Sequence, residues 1–144
     1  GRATGKDAAT FLAMPNVTHY GELSQHEALA LYRQADLACT FYDPAIQINR
    51  YAEPNKWWDC VFMGTPPVLN EGIATAKSLI ESNACFVVVY DQSGESLVAL
   101  LDRLLDDRSP IAEKREALAS LKLSAKTHDE YFLNLSSALF VRAV

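Results

Sequence analysis

The sequence predicts an α/β fold in which a parallel sheet carries helices on both faces. Three observations predict it. Short apolar runs at 17–20, 37–41, 67–70 and 85–90 alternate with stretches of helical periodicity. The run at 37–41 is continuous rather than every second residue, as in strands covered on both faces. Caps, glycines and prolines punctuate the junctions. Strands that alternate with helices imply right-handed crossovers and parallel pairing.

The chain enters on a helix over 6–14 that Pro15-Asn16 closes, and residues 17–20 read as a strand ended by Gly21. Ser24 is a good helix cap, and Glu27 three residues later completes a capping box. The helix that follows presents Ala28, Leu31, Tyr32 and Ala35 on one face, and Asp36 ends it before strand 37–41. A long polar loop, 42–53, leads to a helix opened by Pro54 and Asn55, with Asn55 as its cap. One of Trp57 and Trp58 is expected to face the sheet. Gly64 stops this helix in the left-handed conformation that favours glycine, and Pro66-Pro67 lead into strand 67–70. Residues 73–82 read as a helix with Ala76, Leu79 and Ile80 apolar, and 85–90 is the most β-like stretch of the chain. A helix from Ser93 or Gly94 through Leu105 carries a stripe of Leu97, Leu100, Leu101, Leu104 and Leu105. Ser109-Pro110 restarts a charged helix exposed through Lys114, Arg115 and Glu116. An amphipathic segment at 129–141, with Phe132, Leu135, Leu139 and Phe140, ends the chain.

The 144 residues suffice for one domain with a core, and 49% hydrophobic content suits a globular chain. Four strands are few for a doubly wound sheet. One or two leading strands are therefore expected to be missing, which makes residues 1–144 a single truncated domain with 109–144 as a helical extension. A small complete domain with an uncovered sheet edge is the alternative. A net charge of −5 argues against a nucleic-acid surface, which wants a basic stripe. No apolar run approaches the length of a membrane helix. Cys39, Cys60 and Cys85 lack metal-ligand spacing and read as buried free thiols in a reducing, cytoplasmic setting.

In open parallel sheets ligands bind beyond the carboxyl ends of the strands. The candidates there are Gly21-Glu22, the loop 42–53 with Asn55-Lys56, Asn70-Glu71-Gly72 and Asp91-Gln92-Ser93. The second is the longest, and loops above about twelve residues are often functional. Asn49, Arg50 and Tyr51 within it offer hydrogen bonds, a fixed positive charge and a stacking ring. Asn55, Lys56 and Asp59 share one side of the following helix, whose N-terminus favours an anion. Lys56 and Asp59 also read as a plain exposed pair, but a lysine in a first turn opposes the helix dipole, and a bound anion accounts for it better. Asn55 serves equally as a cap or as a ligand contact. His19, His26 and His128 join no nucleophile, so a hydrolase triad has no support. Asp102, Asp106, Asp107 and Glu113 read as a solvated helix face, not a metal site. Neither a dinucleotide fingerprint nor an NTPase phosphate loop occurs.

The phrases Asn16-Val17…Tyr20-Gly21, then Leu31-Tyr32…Ala35-Asp36-Leu37, then Pro54-Asn55-Lys56-Trp57-Trp58-Asp59…Met63-Gly64-Thr65-Pro66-Pro67-Val68 follow one another over most of the chain. Their order and spacing resemble the C-terminal, donor-binding domain of the group-1 nucleotide-sugar glycosyltransferases of GT-B fold. The resemblance implies a Rossmann-like sheet that is one half of a GT-B architecture. It implies a metal-independent, retaining transfer of sugar from a UDP or GDP sugar to an acceptor glycan or lipid-linked sugar, in polysaccharide or glycoconjugate biosynthesis, with no separate cofactor. It places Asp59 at the ribose hydroxyls, Lys56 near the diphosphate and Gly21-Glu22 near the base. Aspartate stands where the family carries glutamate, and Tyr51, with Glu53 two residues on, stands where many members carry a second glutamate. Acceptor site and catalytic base belong to an N-terminal half that this chain does not supply, so no catalytic residue is assigned here. The fragment alone is expected to bind donor weakly and transfer nothing, and the full-length enzyme to be cytoplasmic or peripheral to a membrane. A nucleotide-sugar epimerase, or a non-catalytic scaffold relative that kept the fold, are the alternatives. A flavodoxin-like domain is a further one, without its acidic cluster.

Overall fold

The computed structural model describes residues 8–51, 54–91 and 93–124. At its centre β1 (Ala38–Thr40), β2 (Pro67–Asn70) and β3 (Phe86–Val88) form a parallel sheet in the order β1-β2-β3. The register sets Cys39 beside Val68 and Val68 beside Phe86. Around the sheet stand α1 (Ala8–Leu12), α2 (Gln25–Gln34), α3 (Gln47–Tyr51), α4 (Asn55–Met63), a 3-10 turn (Ala74–Ala76), α5 (Lys77–Glu81), α6 (Glu95–Asp106) and α7 (Ser109–Ser124).

All four residues of β2 are buried, because neighbouring side chains point to opposite faces and both faces are covered. Val68 joins Phe86, Val88, Leu100, Leu104 and Ile111 in one cluster. Leu69 joins Trp57, Val61, Leu79 and Leu118 in the other. Helix α6 thus covers one face and α4 with α5 the other, while α7 reaches both clusters through Ile111 and Leu118. Full burial of one such aliphatic side chain contributes roughly 1.5–3 kcal/mol. The mixed α/β architecture with a parallel sheet is therefore the one the sequence implies.

Local signals set several boundaries. The Ser24 hydroxyl accepts the Glu27 N–H at 3.3 Å and the Glu27 carboxylate accepts the Ser24 N–H at 2.8 Å, so the capping box forms. Gly64 closes α4 at φ 72°, and the N–H of Thr65 returns to the Cys60 carbonyl at 3.0 Å. The buried Thr65 then donates its hydroxyl to the Tyr32 carbonyl, tying α2 to the end of α4.

Other expectations are corrected. Residues 17–20 enter no ladder, because a strand exists only with a partner and the sheet ends at β1. Strands 37–41 and 85–90 shorten to Ala38–Thr40 and Phe86–Val88. The loop 42–53 contains α3, and the helix at 73–82 begins as a 3-10 turn. Cys60 and Cys85 are buried but Cys39 is exposed, since α6 packs on β3, two strands away. In α6 only Leu100 and Leu104 of the leucine stripe are buried, and Leu105 is 79% exposed, because the stripe is wider than the strip of sheet it meets. Helix α7 is charged on its surface, yet Ile111 and Leu118 anchor it. The amphipathic segment 129–141 lies outside the described residues.

Candidate functional site

Helix α4 lies in the crossover from β1 to β2 and α6 follows β3 directly, so both begin at the carboxyl edge of the sheet, while α2 ends three residues before β1. Their N-termini are treated differently. That of α2 holds its own capping box. That of α6 holds Asp91, whose carboxylate accepts the N–H groups of Gly94 and Ser96 and the hydroxyl of Ser93. These bonds, the Ser96 N–H first among them, hold the Asp91 carboxyl below its usual range. At α4 the N-cap is Pro54, which has no side-chain acceptor, and no side chain among the described residues caps the helix. Asn55 is the first helical residue rather than the cap expected from the sequence, because the helix begins directly after Pro54. Lys56, in the first turn, is exposed and makes no ion pair with the described residues.

Helix α4 is fixed to the sheet by Trp57, which is 2% exposed. Its indole N–H donates to the Thr40 hydroxyl at 3.1 Å, and the Tyr42 ring meets it edge-on with centroids 6.3 Å apart. With Trp57 turned inward, Asn55 and Asp59, four residues apart, face α2. They line a groove of about 490 Å³ with Gln25, Leu29, Trp58, Phe62 and Met63. Lys56 is not part of that lining, so the structure pairs Asn55 with Asp59 and leaves Lys56 beside the groove. Tyr32 stands near the same acid: burial raises its hydroxyl above the usual range, and Cys60 and Asp59 raise it further.

The loop after β1 is braced internally. Asn49 donates its amide to the Asp43 carbonyl at 3.0 Å, and Arg50 donates its Nε–H to the Pro44 carbonyl at 2.6 Å. Tyr51 is 68% exposed at the end of α3. Arg50 therefore serves the loop's own backbone, where the sequence suggested a charge available to a ligand. Gly21, at φ 72°, and the exposed Glu22 lie in the segment that leads into α2.

Two buried polar residues have roles that the sequence reading did not assign: Asn70, placed there only among the strand-end candidates, and Thr40. Asn70, 1% exposed, accepts the Tyr42 N–H at 2.8 Å and donates to the carbonyls of Tyr42 and Glu71, each at 2.9 Å. Thr40 is the partner of Trp57. The signal that could have found them is a polar residue at the last position of an otherwise apolar strand. A second hollow of about 460 Å³ lies among Phe41, Val88, Tyr90 and Leu97, but its acid, Asp91, is turned into α6. Among the described residues no three His, Cys, Asp or Glu side chains converge as metal ligands, and no described helix is long and apolar enough to cross a membrane. Comparison with family models, with curated proteins and with solved structures gives no match.

Proposed function

We propose that this chain is the donor-binding domain of a glycosyltransferase that takes a nucleoside-diphosphate sugar of UDP or GDP type. The observation that carries the reading is the start of α4: a helix N-terminus with no side-chain cap among the described residues, Lys56 in its first turn, and Asn55 with Asp59 in the adjoining groove. Uncapped N–H groups and a first-turn cation favour a phosphate, and a carboxylate beside an amide suits vicinal hydroxyls such as those of ribose. When the glycosidic bond to the phosphate breaks, negative charge grows on the departing diphosphate. Donors aimed at it lower that barrier without a change in their own protonation. The acceptor and its base belong to the other half of the enzyme.

A non-catalytic binding relative is the second reading, favoured by Arg50, whose guanidinium is engaged with the Pro44 carbonyl. Calorimetry with UDP and GDP sugars on the intact protein tests the first reading. Binding that Asp59→Ala weakens supports it, and the absence of any nucleotide binding removes it. Binding with full transfer activity retained by Asp59→Ala points away from the assigned ribose contact.

A further inference from the structure

The loop that carries Asn49, Arg50 and Tyr51 is braced within itself by Asn49 and Arg50, and it is tied to the rest of the fold by the end of β2. Asn70 is the clamp: its side-chain oxygen takes the Tyr42 N–H and its amide returns to the Tyr42 carbonyl, so one residue satisfies both main-chain groups 28 positions away. Two residues on, Gly72 at φ 83° lets Pro44 lie against the chain, and a Cβ there would stand 3.3 Å from Pro44 Cβ. The 3-10 turn that follows packs against α3. Residues 70–76 thus touch the loop at Tyr42, at Pro44 and at α3. Beyond α3, three residues separate Tyr51 from the start of α4.

A buried amide with every bond made is costly to disturb, and its paired bonds to the N–H and C=O of Tyr42 fix the orientation of the two peptide units that flank that residue. We propose that Asn70 is the positioning residue of the site, setting where the loop 42–51 stands relative to the open start of α4. The local consequence depends on geometry alone, and the consequence for ligand binding rests on the donor-site reading.

Hydrogen exchange on the full chain tests it. In Asn70→Ala the amides of Tyr42, Ala45, Ile46 and Asn49 exchange at least tenfold faster, while those of α6 change far less. Val61→Ala, which removes core methyl groups away from the loop, serves as the control for general destabilisation. Gly72→Ala, an exposed position that displaces Pro44, loosens the same amides should Asn70→Ala fail to fold. A pattern in Asn70→Ala and Gly72→Ala that matches Val61→Ala, with loop and core amides speeding alike, overturns the proposal. The binding arm uses UDP and GDP as probes. Affinity that falls tenfold or more with Asn70→Ala, in a variant whose α6 amides stay protected, supports positioning of the site. Unchanged affinity in a loosened loop overturns that part. No binding by the unaltered protein removes the donor reading alone and leaves the exchange pattern to decide the clamp.

Discussion

Lys56 and Asp59 illustrate what one turn of helix decides. Three residues apart they share a side on any helical wheel, yet burial of Trp57 rotates α4 so that Asp59 meets α2 and Lys56 meets solvent. Because Lys56 is exposed and makes no ion pair with the described residues, Lys56→Ala is expected to leave the melting temperature unchanged while lowering nucleotide-sugar affinity. A charge-assisted bond of about 1.5–3 kcal/mol corresponds to roughly ten- to a hundredfold in affinity. Titration calorimetry and a thermal melt on the same sample check both halves. The cysteines separate in the same way. Burial pushes the Cys60 thiol up to about 12 and the Cys85 thiol to about 11, whereas Cys39 is accessible with a thiol raised by partial desolvation. A maleimide at neutral pH is expected to modify Cys39 first, and Cys60 and Cys85 only on unfolding, as peptide mass mapping would show.

At the scale of the element, ends matter more than middles. Helix α2 has half-buried apolar residues and no fully buried one, so its capping box carries a larger share of its stability. Ser24→Ala is expected to cost about 1 kcal/mol, measurable by urea unfolding. The same change alters the response to acid. The Ser24 hydroxyl, then its backbone N–H, hold the Glu27 carboxyl below its usual range, and Asp91 and Asp107 are likewise depressed by hydrogen bonds at their helix starts. A carboxyl that is more acidic when folded stabilises the folded state above its unfolded pKa. That contribution fades as pH falls through the folded value. Melting temperature is therefore expected to drop as pH falls from the ordinary carboxylate range toward the depressed folded values, and Ser24→Ala to make the drop shallower; an unchanged slope would remove Glu27 from the account. Helix starts, the glycine stop of α4 and the strand at 67–70 were legible because each depends on residues within four positions of it.

For the molecule as a whole, stability concentrates where α7 meets the face of the sheet that α4 and α5 cover. Leu118 is fully buried in the cluster of Trp57, Val61 and Leu69, so Leu118→Ala is expected to cost about 2–5 kcal/mol. Leu105→Ala, at 79% exposure in α6, is expected to stay within about 0.5 kcal/mol. Denaturant melts of the pair check this, and comparable losses would mean that α6 presents a different face. Residues 17–20 belong to this scale as well. They have the composition of a strand but no ladder, since pairing is a property of the neighbour.

The sequence by itself determined the α/β class, the order of most elements, the capping box of α2 and the glycine stop of α4, and the stretch 54–70 as the place where polar residues gather at a sheet edge. These follow from local sterics, short-range hydrogen bonds and the period of the apolar residues. Tertiary structure alone decided that Cys39 is open and that Arg50 braces its own loop. It also decided that Asn55 and Asp59 face a groove without Lys56, and that Asn70 holds Tyr42 across 28 positions. Each of these depends on which surfaces meet. That is fixed by packing between segments far apart in the chain, which no local pattern encodes.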